Sequence, residues 1–187
     1  PPSPSSPPAE GRGEFWETFE RRLEINSQTL MCKNLYMYLR VDPIHLSTIK
    51  VFLSRVVRGE IEAFVSIPVL DELFYRLLLA RVKETTDRNP LDLLRENQAK
   101  AISAHSDVID SSLRKLTLLP HINLVGVETT DFDRMLENIR TFLLLPRDAM
   151  HVAIVQRLGL NGVASDDIDF DRVKSVERHW VINPPTG

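Results

Sequence analysis

The sequence predicts a three-layer α/β fold, a mainly parallel central sheet flanked by helices on both faces. Two observations carry that prediction. Short apolar runs read as buried strands at "EAFVSI" (Glu62–Ile67), "INLVGVE" (Ile122–Glu128) and "GVAS" (Gly162–Ser165). Between them lie longer segments with helical spacing of apolar residues, and strands that alternate with helices need crossover connections, which make parallel neighbours.

Each element has its own local signal. Asp42 and Pro43 open a helix whose apolar stripe is Ile44, Ile49, Phe52, Leu53 and Val56, closed by "RGE". Pro68 opens a second helix, "PVLDELFYRLLLARVKE", because proline is tolerated in a first helical turn. After the break "TTDRNP" a long helix is expected from Leu91 to about Leu118, with Leu93, Leu94, Ile102, Val108, Ile109 and Leu113 on its apolar positions. "TTDFDRMLENIRTFLLL" has a Thr/Asp start signal, "PRDAMHVAIVQRLG" ends at Gly159, and "HWVIN" (His179–Asn183) reads as a last strand.

The 187 residues, 43% of them hydrophobic, suffice for one cored domain. Its expected extent is 31–187. Residues 1–13 are a Pro/Ser-rich tail too polar to offset their ordering entropy. Residues 14–30, with Phe15, Trp16, Phe19 and Leu23 near helical spacing, read as an amphipathic appendage. A net charge of −3 excludes a global basic field for nucleic acid, so a nucleic-acid ligand would need a local basic rim. The lone Cys32 excludes an internal disulfide and a Cys-rich zinc site, and no apolar run approaches the roughly 18 residues of a membrane span. A cytoplasmic protein is expected.

In a doubly wound sheet, ligands bind outside the carboxyl ends of the strands. The acidic run "SDDIDFD" (Ser165–Asp171) has that address, as do Glu72, after "AFVSI", and Asp148, just inside the helix opened by Pro146. Two carboxylates about 4 Å apart repel by about 4 kcal/mol at an effective dielectric near 20, so such a cluster protonates or holds a cation. Oxygen donors without paired His or Cys suit Mg²⁺ or Mn²⁺, ions that activate water and neutralise charge in phosphate-ester hydrolysis.

Ordinary explanations stand beside each residue. Asp148 suits a helix N-terminus through the macrodipole alone, Glu72 has Arg76 at i,i+4, and an Asp-rich loop makes its own turn hydrogen bonds. His151 reads as a packed histidine and Cys32 as core filler rather than nucleophile. Arg147 and the Arg81, Lys83 and Arg88 group are candidates for steering phosphates, with a solvated surface as the ordinary alternative.

"SIPVLDELFYRL" and "LLLPRDAMHVAIVQRLGLNGVASDDIDFDRV" resemble the PIN-domain family, and within it the VapC-like ribonuclease toxins of prokaryotic toxin-antitoxin pairs. The similarity runs from about Leu35 to Asn183. It implies a metal site at Glu72, Asp148, Asp167 and Asp169, with Asp166 and Asp171 outside the ligand set. It also implies Mg²⁺- or Mn²⁺-dependent endoribonuclease activity on RNA, homodimerisation, and inhibition by a small antitoxin.

One part departs from the pattern. The family's first strand ends in an Asp-Thr-Asn motif, whose aspartate is a metal ligand. Here that position falls on Met31, or on Cys32 if "CKN" is the counterpart, and no aspartate precedes Asp42, which matches a non-ligand loop aspartate. Glu24 in "LEIN" would imitate the motif only if the residues up to Leu35 were an insertion. A second expectation therefore stands beside the nuclease: a catalytically impaired PIN-like binding or interaction module. A phosphatase- or receiver-type domain is disfavoured, because no Asp-x-Asp ends an early strand.

Overall fold

The structure, a computed structural model, describes residues 27–30, 32–42, 44, 46–160 and 162–179. Its elements in chain order are β1 (Ser27–Leu30), α1 (Cys32–Leu39), α2 (Leu46–Val57), β2 (Glu62–Ser66), α3 (Ile67–Thr85) and α4 (Pro90–Thr117). There follow β3 (Ile122–Val125), α5 (Thr129–Phe142), α6 (Pro146–Arg157), β4 (Gly162–Ala164), a 3-10 turn (Ile168–Arg172) and β5 (Glu177–His179).

The described strands form one sheet in the order β3-β2-β1-β4-β5, and every neighbouring pair is parallel. The helices fall into two packed groups, α1 against α2 and α3 with α3 against α4, and α5 against α6. Strand order reverses at β1, and because crossovers between parallel strands are right-handed as a rule, that reversal puts the two groups on opposite faces. The expected three-layer α/β architecture is what the chain adopts. No helix among the described residues is long and apolar enough to cross a membrane.

Burial explains the order of the layers. Ala63 and Val65 of β2 and Val163 and Ala164 of β4 are fully buried, as are Val69 and Leu73 on α3. Helix α6 is enclosed on most sides: Ala149, His151, Val152, Ala153, Ile154 and Val155 are all buried, as expected of a helix without a wide polar face. Gly159 ends it with a φ of +65°, a conformation that a residue with a Cβ adopts only at a cost.

Several sequence expectations need correction. Residues 27–30, grouped above with a helical appendage, form the central strand, Gln28 aligning with Ala63 on one side and Gly162 on the other. Helix α2 starts at Leu46 rather than at Pro43; Asp42 instead accepts the Ile44 N–H at 3.0 Å in a local turn. The long helix α4 is broken at Asn97, whose φ of −152° and ψ of 70° are not helical. The last described strand begins at Glu177, earlier than read, and 180–183 lie outside the described residues. The same holds for residues 1–26, including Glu24, and for Met31.

Candidate functional site

The carboxyl ends of β2 and β4 and the amino end of α6 surround a cleft of about 350 Å³. Glu72, Arg76, Arg147, Asp148, Asp166 and Asp167 supply its charge, with His151, Ser165, Leu145 and Phe170 filling in around them. Three of the four acids singled out in the sequence thus meet here from distant parts of the chain. Their placement follows from local rules: Ser66 ends β2 and leads directly into α3, Pro146 occupies the first turn of α6, and Ser165 follows β4.

The acidic run divides its charge three ways. Asp166 and Asp167 line the cleft. Asp167 Oδ1 accepts the Asp169 N–H at 2.9 Å, and the Asp167 N–H donates to Ser165 Oγ at 3.0 Å, so the loop is held by its own polar groups. Asp169 does not line the cleft; its Oδ1 lies 2.8 Å from a guanidinium nitrogen of Arg172, which also donates to the Leu143 carbonyl at 3.0 Å. Asp171 takes both arms of Arg178, at 2.6 and 2.9 Å, and that pairing holds its carboxyl below the usual range.

Asp148 is the strained member. Burial pushes its carboxyl above the ordinary value, and the negative charges of Asp167, Asp169 and Glu72 push it further, with Arg147 opposing them. Glu72, only 13% exposed at its side chain, is held by two arginines: Arg76 Nε at 2.8 Å and Arg147 at 3.6 Å. Glu72 thus lines the cleft while ion-paired. His151 is 2% exposed, and burial lowers its pKa to about 4, so it is neutral at pH 7. Its Nδ1 and Ser66 Oγ are buried without a hydrogen-bond partner among the described residues.

Sequence reasoning missed Arg172 and Arg178, whose partners are set by the 3-10 turn and β5, and it also offered Arg81, Lys83 and Arg88 as steering candidates. None of those three lines the cleft. Arg81 pairs with Glu84 and Arg88 with Glu96, and Arg81 stands about 13 Å along α3 from Glu72 at 1.5 Å per residue.

The donor chemistry fits a hard divalent cation. Asp148, Asp167 and Glu72 offer carboxylate oxygens, and a cation among them would relieve the repulsion that acts on Asp148. Among the described residues, though, no three His, Cys, Asp or Glu side chains are already gathered at metal-binding spacing. The central strand, "SQTL", brings no acid to this edge. Cys32 opens α1 at that edge, and the buried Asn34 ties α1 to β4 through a 2.8 Å bond to the Ala164 carbonyl.

Comparison with known proteins places this geometry in a family. Over 82% of this chain and 97% of the other, the fold matches VapBC2 from Rickettsia felis, solved bound to a DNA fragment from its promoter, with a TM-score of 0.55 and 11% identity. VapC20 of Mycobacterium tuberculosis, a toxin that cleaves the sarcin-ricin loop, aligns over 79% of this chain and 95% of its own, with a TM-score of 0.48 and 14% identity. At 11% identity the likeness to VapBC2 is one of fold. No curated protein matches the sequence. A sequence profile of the PIN domain matches residues 37–176, a range that begins after β1 and contains Glu72, Asp148, Asp167 and Asp169, and the chain therefore belongs to the PIN-domain family.

Proposed function

We propose that the chain is a metal-dependent ribonuclease of PIN type that hydrolyses RNA phosphodiester bonds. The observation that carries this reading is the convergence of Glu72, Asp148 and Asp167 on one cleft, where burial first and then the charges of Asp167, Asp169 and Glu72 raise the Asp148 carboxyl. Glu72, Asp148 and Asp167 would hold Mg²⁺ or Mn²⁺, with Asp169 in support through its place in the 3-10 turn. When bound, such an ion supplies an activated water and neutralises charge on the phosphoryl and leaving oxygens. The chain's own contribution is positional. Ser165 fixes the loop that carries Asp167, the α6 N-terminus favours the charge on Asp148, and Arg147 stands beside it at the cleft mouth. A cytoplasmic setting, self-association and a small antitoxin partner belong to the same reading, supported by the family and by the fold shared with the VapBC2 complex.

The test is cleavage of single-stranded and structured RNA with Mn²⁺ or with chelator present. Wild type cleaves only with the ion, and Glu72→Gln, Asp148→Asn and Asp167→Asn each lose more than about 100-fold. Cleavage that persists in chelator or in all three variants would reject the reading.

A second reading has its own observation. The central strand carries no acid, and no three donors stand at metal spacing among the described residues, as expected of a PIN-like binding module that has lost catalysis. That module needs no divalent ion to bind its partner.

A further inference from the structure

We propose that Arg147 is an internal counter-ion that occupies Glu72 until a divalent cation displaces it, and that the displaced guanidinium then binds a phosphate of the RNA. This rests on the nuclease reading and adds a residue with two roles to it.

The two arginines on Glu72 differ in how firmly they are held. Arg76 lies one turn along the same helix and brings two nitrogens to a single oxygen, Oε1, each at 2.8 Å. Arg147 comes from α6 and approaches the other oxygen, Oε2, at 3.6 Å, beyond hydrogen-bond length. Its side chain is 60% exposed, against 13% for Glu72. A carboxylate that far out of water needs a positive neighbour, whereas an exposed guanidinium leaves it at little cost.

Oε2 is thus the oxygen available for exchange, and it belongs to the acid that the family pattern makes a ligand. Arg147 is adjacent in sequence to Asp148 and lines the same cleft, so once released it remains at the mouth, where RNA would enter. Guanidinium suits that second role because its fork binds phosphate oxygens in pairs. Cation and phosphate then assist each other: the ion frees Arg147 for phosphate, and phosphate that draws Arg147 away opens Oε2 to the ion. Linkage makes this coupling reciprocal.

The experiment is Mn²⁺ titration of the full chain by calorimetry, in wild type, Arg147→Ala and Arg147→Lys, with anisotropy of a labelled single-stranded RNA in Ca²⁺ alongside. Arg147→Ala should bind Mn²⁺ about 5-fold more tightly or better. The same variant should bind RNA more weakly, with a salt slope smaller by about 1, and Arg147→Lys should recover part of that loss. Unchanged or weaker Mn²⁺ binding in Arg147→Ala, while wild type binds normally, overturns the counter-ion role and leaves the nuclease reading standing. Unchanged RNA affinity overturns the phosphate role. No Mn²⁺ binding in wild type rejects both this proposal and the nuclease reading.

Discussion

Arg157 Nε donates to Asp131 Oδ1 at 2.8 Å, and the Asp131 side chain is completely buried. Arg157 also reaches Glu128 and the Gly126 carbonyl, each at 2.8 Å, while Asp131 accepts the Glu128 N–H. The last turn of α6 is thereby fastened to the first turn of α5, and α6 is the helix that presents Asp148 at its other end.

Removing Arg157 leaves a buried carboxylate uncompensated. Burial alone would push the Asp131 carboxyl up, but the Arg157 hydrogen bond and the Glu128 N–H override it and hold it below the usual range. Arg157→Ala should destabilise the fold by about 3 kcal/mol at pH 7. A depressed folded-state pKa gives stability that is present above the unfolded value of about 3.9 and lost below it. Urea titrations should therefore show the gap between wild type and variant shrinking as the pH falls through 4.

Asp148 has the opposite sign. Its carboxyl is raised in the folded state, so ionisation penalises folding above that pKa, and the penalty fades as the pH falls toward the unfolded value. Without divalent ions, Asp148→Asn should therefore raise the Tm near pH 7. Thermal melts at pH 3.5 should bring the two proteins together.

For His151, burial lowers the folded pKa to about 4, against about 6.5 when unfolded. The unfolded chain therefore takes up a proton that the folded chain refuses between those values, and stability drops by about 3 kcal/mol as the pH falls through that window. His151→Leu should flatten this dependence when wild type and variant are unfolded in urea at pH 7 and pH 4.5.

Asp169 should matter less to a bound ion than Asp148 or Asp167, because its carboxylate is paired with Arg172 outside the cleft. Calorimetry of Asp169→Asn should show Mn²⁺ affinity about 10-fold weaker, whereas the other two aspartates should each cost more than about 100-fold.

The elements nearest the cleft were the most legible in sequence. Pro68 and Pro146 mark helix starts through their own backbone chemistry, and the apolar "GVA" of β4 needs no partner to be recognised as buried. β1 was not legible, because "SQTL" is short and mostly polar and becomes a strand through pairing on both sides with β2 and β4. Nor was the break at Asn97, which lies inside an otherwise helical pattern. In the site, the convergence of Glu72, Asp148 and Asp167 followed from strand-end logic. The diversion of Asp169 and Asp171 to Arg172 and Arg178 did not, since it depends on the 3-10 turn and on β5 bringing arginines within reach.

The most direct test of the metal-dependent reading is calorimetric titration of Mn²⁺ into the wild-type chain and into Asp148→Asn. The account predicts saturable binding in wild type that the variant loses. Absence of binding in wild type, or equal binding in both proteins, would contradict it.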